Sequence, residues 1–121
     1  MLKKLRKLKP NIRATDKYGR NAFHHAAAAG NLLGIQFTHL YMNYLHERET
    51  KFKIPEGYLT PQIQQLVAEK THGGITSLMK AAMSLSSATV QYLLSIGADP
   101  KTTDRQGRTA KQYAIAACPR N

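Results

Sequence analysis

The chain has 121 residues, of which 42% are apolar, enough for one small domain with a thin core but not for two domains. It carries 18 Lys and Arg against 7 Asp and Glu, a formal net charge of +11. The single cysteine excludes a disulfide-framed scaffold and a zinc site built from four thiolates. No apolar stretch is long enough to predict a membrane span, and we expect an intracellular, cytoplasmic protein.

Residues 1–13 form a basic N-terminal tail without a single acid. Its six cationic residues are Lys3, Lys4, Arg6, Lys7, Lys9 and Arg13. Such a run of like charge repels itself and stays unfolded unless an acidic surface neutralises it. Three interpretations stay open: a solvated arm, a contact to RNA phosphates or another acidic surface, and a targeting peptide. The last would place the protein in mitochondria, since presequences are also basic and free of acids.

A glycine turn followed by an alanine-rich segment occurs three times in the rest of the chain. The aligned glycines are Gly19, Gly74 and Gly107. The second and third are 33 residues apart, and the first and second are 55 apart, which is the same period plus an insertion of 22. Because glycine accepts the positive φ of a tight turn, each is predicted to lie in a turn.

Each turn is predicted to lead into a short inner helix. The residue at each helix start has a side chain of the type that caps N-termini: Asn21, Thr76 and Thr109. The predicted inner helices cover about 22–29, 77–84 and 110–117.

Two further segments are predicted to form an outer layer of helices. Gly30 is predicted to close the first inner helix with a left-handed cap. Four apolar residues then recur at helical spacing and predict one apolar face: Leu33, Phe37, Leu40 and Tyr44. A second apolar face is carried by Val90, Leu93 and Leu94. Gly97 is predicted to end that helix.

The insertion covers residues 49–70. Its alternating segment 51–54 is compatible with an extended conformation, and Pro55 to Gly57 predict a turn. Thr60 and Pro61 are typical of a helix start, which predicts a helix over 61–70. Two interpretations stay open: an extra helix that pads the outer layer, and a projecting element specific to one partner.

The repeated pattern resembles the ankyrin repeat, whose signature runs Asp-x-x-Gly-x-Thr-Pro-Leu-His-x-Ala-Ala with a period of about 33 residues. The matching segments are Asp16–Gly19, Asp104–Gly107, Gly30–Asn31 and Ser95–Pro100. The resemblance implies an all-α, ankyrin-repeat helical solenoid with short turn fingers, an inserted helix and the basic tail. The implied domain spans 14–121, as a repeat at 16–48, the insertion at 49–70, a repeat at 71–103 and a partial repeat at 104–121.

The chain also departs from the signature. Of the three histidine positions only His24 is kept, and Leu85 stands where glycine usually separates the paired helices, so a turn built on Ser86 and Ser87 is predicted there. No outer helix is predicted after the third inner helix. Because outer helices in a stack are covered by their neighbours, we expect a partner or a continuation of the chain to cover this end.

No catalytic residue, metal site or cofactor is predicted. His39 and His46 are seven residues apart and fall on one helix face, but nothing fixes the convergence of ligands that zinc requires. Cys118 has no placed histidine beside it to activate the thiol. We therefore expect a protein that is not an enzyme.

Two functions stay open. The resemblance implies a non-enzymatic protein–protein interaction module that docks its partner through turn tips and inner helices. The implied contact residues are Lys17, Tyr18, Arg20, His72, Ile75, Met83, Arg105, Gln106 and Arg108. The alternative is a structural subunit of a large assembly, such as a ribosome or another ribonucleoprotein, with the basic tail on RNA phosphates. Phe23, Phe37 and Phe52 are predicted in the core, so no platform for base stacking is expected.

Overall fold

The computed structural model describes residues 15–118, and every regular element in that range is a helix. In chain order these are α1 (Ala22–Ala28), α2 (Leu32–Thr50), α3 (Pro61–Ala68), α4 (Ser77–Met83), α5 (Ser87–Ser95) and α6 (Ala110–Ala117). The all-α class is therefore confirmed, and residues 51–54 lie in a loop with neither helix nor strand ladder in the described range. The tail 1–13 lies outside the described residues.

The three short helices α1, α4 and α6 begin at the predicted caps. The side chains of Asn21, Thr76 and Thr109 each accept a hydrogen bond from the backbone N–H three residues later. In α1 and α6 the bond is reciprocated, since His24 and Gln112 accept from the N–H of the capping residue. Local side-chain chemistry thus sets where these helices start.

The helices pack in two layers. α4 lies between α1 and α6, while α2 packs on α1, α5 packs on α4, and α2 contacts α5. Buried side chains of these layers include Phe23, Met79 and Leu93. The inserted helix α3 contacts α2 and α4, and its buried side chains are Ile63, Leu66 and Val67. α3 is therefore part of the core, as in the padding interpretation of the insertion.

The turn between α4 and α5 is closed by Leu85 rather than by the two serines. Leu85 has a φ of +57°, close to the +65° of Gly30 in the equivalent turn between α1 and α2. Ser86 is instead the N-cap residue of α5, and its hydroxyl is hydrogen-bonded to that of Thr89 at 2.7 Å. A non-glycine residue in this conformation costs roughly 1–2 kcal/mol.

The predicted apolar face of α2 points away from the core, which corrects the sequence analysis. Leu33 and Phe37 are 76% and 66% exposed, and Leu40 and Tyr44 are exposed as well. The buried residues of α2 are Ile35, Thr38 and Met42. Phe52 is also exposed, so of the three phenylalanines only Phe23 is a core residue.

The reason lies in a close approach between α1 and α2. A Cβ added at Gly34 would lie 3.3 Å from the Cβ of Ala26, so these two small residues bring the helices together on that side. Thr38, one turn further along the same side, satisfies its hydroxyl by donating to the Gly34 carbonyl at 2.8 Å. The face with Gly34 and Thr38 therefore packs inward, and the larger apolar face remains outside.

Candidate functional site

Three turns with one hydrogen-bonding scheme precede the short helices. In residues 16–20, the Asp16 Oδ1 accepts from the backbone N–H groups of Tyr18 and Arg20, both at 2.9 Å. In residues 104–108, the Asp104 Oδ1 accepts from Gln106 at 2.8 Å and from Arg108 at 2.9 Å. Each aspartate therefore binds the N–H groups two and four residues later and holds its turn closed.

The middle turn, residues 71–75, uses Thr71 in the same role. Its Oγ1 accepts from the N–H of Gly73 at 3.3 Å and of Ile75 at 3.2 Å. Sequence analysis missed this residue, although Thr71 lies 33 residues before Asp104 and offers a side-chain oxygen at the equivalent position.

The three turns lie side by side and touch through their backbones. The His72 N–H donates to the Tyr18 carbonyl at 2.9 Å, and the Arg105 N–H donates to the Gly73 carbonyl at 3.4 Å. A Cβ added at Gly74 would lie only 2.9 Å from the Arg105 nitrogen. Residues 16–20, 71–75 and 104–108 thus form one continuous surface, called the turn ridge below.

The Asp16 carboxylate in the ridge is paired internally. Its Oδ2 accepts from Arg20 Nε at 2.7 Å and from His25 Nε2 at 3.1 Å. Partial desolvation raises the pKa of Asp16, but the hydrogen bonds from Arg20 and Tyr18 outweigh it and hold the pKa well below its usual range. Asp16 is therefore ionised at neutral pH, with its lone pairs directed into its own turn.

Asp104 has the same arrangement in the last turn. The Tyr113 hydroxyl and the Arg108 Nε, at 3.0 Å, both donate to its Oδ2. The Tyr113 hydrogen bond and the N–H groups of Arg108 and Gln106 outweigh desolvation and hold the pKa of Asp104 well below its usual range. Both ridge carboxylates thus act as internal acceptors.

Cationic side chains of the ridge lie against aromatic rings beside these carboxylates. Tyr18 is 52% exposed, with the Lys17 ammonium 5.1 Å and the Arg20 guanidinium 4.8 Å from the centre of its ring. Arg108 lies 4.9 Å from the ring centre of Tyr113 in the same manner. These distances are in the range of cation–π contacts, which hold the long side chains against the rings.

All but one of the predicted contact residues lie on the turn ridge, but they differ in exposure. Those exposed on the turn ridge are Lys17, Tyr18, His72, Arg105, Gln106 and Arg108. Arg20 also lies on the ridge but is half-buried and paired with Asp16. Ile75 packs partly against the core, and its carbonyl accepts a hydrogen bond from the buried His24 Nε2 at 2.9 Å.

The predicted contact residue Met83 lies outside the ridge, half-buried in the last turn of α4. The six tail residues proposed to bind phosphates are Lys3, Lys4, Arg6, Lys7, Lys9 and Arg13, all of which lie outside the described residues.

No three His, Cys, Asp or Glu side chains come together in residues 15–118 in a way that would hold a metal ion. His39 is instead hydrogen-bonded through Nδ1 to the Tyr92 hydroxyl at 2.7 Å. No helix in the described part of the chain combines the length and the apolar character needed to cross a bilayer.

No protein-family model matches the chain, and no curated protein is significantly similar to it.

Proposed function

We propose that the chain is a non-enzymatic protein–protein interaction module of the ankyrin-repeat type, which docks a partner through the turn ridge. The supporting observation is that three turns with one hydrogen-bonding scheme touch in sequence and present their tips along one edge. In this interpretation, α1 with α2 and α4 with α5 are paired helices, α6 is a half repeat, and α3 lies in the insertion.

The charge of the ridge favours an acidic partner surface. It holds four Lys and Arg residues against the two carboxylates, and both carboxylates are already bonded within their own turns. Complementary charge accelerates encounter and excludes wrong partners. Tyr18 and Arg105 are exposed and belong to residue types that often dominate interface energies.

A matched pair of double variants tests this proposal. Tyr18→Ala with Arg105→Ala removes an aromatic ring and a guanidinium from the ridge. Phe52→Ala with Arg48→Ala removes the same two kinds of group from exposed positions elsewhere.

Each chain is used as bait in native extract, and captured proteins are quantified by mass spectrometry. We expect a partner that the unmodified chain and the control variant capture in equal amounts. The amount captured by the ridge variant is expected to be at least about tenfold lower. If every captured protein binds the two variants equally, the ridge is not the docking surface.

A second candidate function is a structural subunit of a ribonucleoprotein. The observation that favours it is the tail, in which 13 residues carry six of the 18 cationic side chains and no acid. Such a segment would bind RNA backbone with an affinity that falls about tenfold or more between low and moderate salt. Deleting residues 1–13 is expected to abolish that binding, while the ridge variant retains it. RNA binding that persists at moderate salt and after deletion of residues 1–13 would contradict this function.

A further inference from the structure

A cavity of about 550 Å³ lies between α2, α5 and the segment 54–59, and none of the turn-ridge residues lines it. Three tyrosines line it, Tyr44, Tyr58 and Tyr92, together with Glu47 and Glu56. The rest of the wall is largely apolar, with Leu40, Ile54, Leu59 and Ile96 among the lining residues. Its volume is in the range of small-ligand sites, about 300–1,000 Å³.

The electrostatic character of this cavity is opposite to that of the whole chain. The sequence has 18 Lys and Arg against 7 Asp and Glu, yet two of those acids and, among the described residues, no lysine or arginine line the cavity. The lining imidazole of His39 adds no charge at neutral pH, because burial lowers its pKa. The cavity is thus a locally anionic, aromatic site on a basic protein.

Several of its groups are held in place by neighbouring residues. The Tyr92 hydroxyl is hydrogen-bonded to His39, and the Tyr44 ring stacks on Tyr41 with 6.3 Å between ring centres. The Glu47 Oε1 accepts from the Ile54 N–H at 3.0 Å, which ties α2 to the segment that carries Tyr58. Because these side chains are already held in place, binding a ligand costs less side-chain conformational entropy.

We propose that this cavity binds an organic cation of the alkylammonium class, either a free small molecule or the modified side chain of a basic peptide. Aromatic faces attract such cations, with Tyr among the effective ring types. Glu47 and Glu56 balance the positive charge, and the apolar residues accept the alkyl groups, which a hydrated metal ion does not carry. The cavity is separate from the turn ridge, so failure of this proposal would leave the proposed function unaffected, and the reverse also holds.

Choline and dimethylbutanol, its uncharged isostere, are the probes that isolate the charge. The full chain is titrated with each while amide and aromatic NMR signals are followed. We expect choline to shift signals of residues around the cavity and to bind at least about tenfold more tightly than the isostere. A trimethyllysine peptide set against the same peptide with plain lysine distinguishes a peptide source from a free ligand.

Glu47→Gln removes the charge but keeps an oxygen that can accept the Ile54 N–H, and we expect it to weaken choline binding about tenfold. Glu49→Gln, an exposed acid on the same helix that does not line the cavity, is expected to bind like the unmodified chain. Tyr58→Leu, at an exposed position, provides a second loss-of-binding variant. Equal binding of choline and its isostere, unchanged binding by Glu47→Gln, or no cavity shifts with any probe would overturn the proposal.

Discussion

Replacing Gly74 by alanine is expected to destabilise the fold more than replacing Gly107, although the two glycines have nearly the same φ angle. The φ angles are +81° at Gly74 and +78° at Gly107, so alanine meets the same left-handed cost at both positions, roughly 1–2 kcal/mol. Nothing lies within 4 Å of a methyl group added at Gly107. At Gly74 the methyl group would lie 2.9 Å from the Arg105 nitrogen, which belongs to the next turn.

A backbone atom cannot rotate out of the way as the end of a side chain can, so the two turns would have to separate. Separation would break the bond from the Arg105 N–H to the Gly73 carbonyl, which is already 3.4 Å long. Overpacking of this kind typically adds 1–3 kcal/mol, roughly. We therefore expect losses of about 2–5 kcal/mol for Gly74→Ala and about 1–2 kcal/mol for Gly107→Ala.

Urea unfolding followed by circular dichroism measures both losses. Gly57→Ala is a control outside the ridge, with a φ of +81° and no atom within 4 Å of the added methyl group. It is expected to match Gly107→Ala. If Gly74→Ala costs no more than the other two variants, the second and third turns do not touch as described.

His24→Ala is expected to lower the free energy of unfolding by about 2–4 kcal/mol, since it leaves the buried Asn21 N–H and the partly buried Ile75 carbonyl without their partner. His25→Ala, at an exposed ring, is expected to cost less than about 1 kcal/mol, and equal losses in urea unfolding would refute this. Burial lowers the pKa of His24 below its ordinary 6.5, so the unfolded chain takes up a proton first as the pH falls. The free energy of unfolding is therefore expected to decrease as the pH falls below about 6.5. The decrease is expected to be smaller in His24→Gln. The pKa of His39 is also lowered by burial, so His39 contributes to the decrease in the same direction. Finally, Ile35→Ala is expected to cost about 2–5 kcal/mol and Phe37→Ala about 1 kcal/mol or less, and the reverse order would contradict the observed orientation of α2.

The starts of the short helices were predictable because local chemistry decides them. Asn21, Thr76 and Thr109 each bond a backbone group three residues away, and that information is contained within one turn of sequence. The glycine turns were predictable for the same reason, since glycine is the residue type that adopts a positive φ at little steric cost.

The orientation of α2 was not predictable from its own sequence. Apolar residues lie on two of its sides, and periodicity identifies a helix without telling which side is buried. The contact between Gly34 and Ala26 decides this, and it depends on how two helices pack. The cavity was missed for the same reason, because His39 and Tyr92 are 53 residues apart in the chain.

Hydrogen exchange with and without a captured partner is the most direct test of docking through the turn ridge. Backbone N–H groups of residues 16–20, 71–75 and 104–108 are expected to exchange more slowly in the complex, while the exposed face of α2 is unchanged. Slower exchange confined to α2, with the three turns unaffected, would contradict the proposed mode of binding.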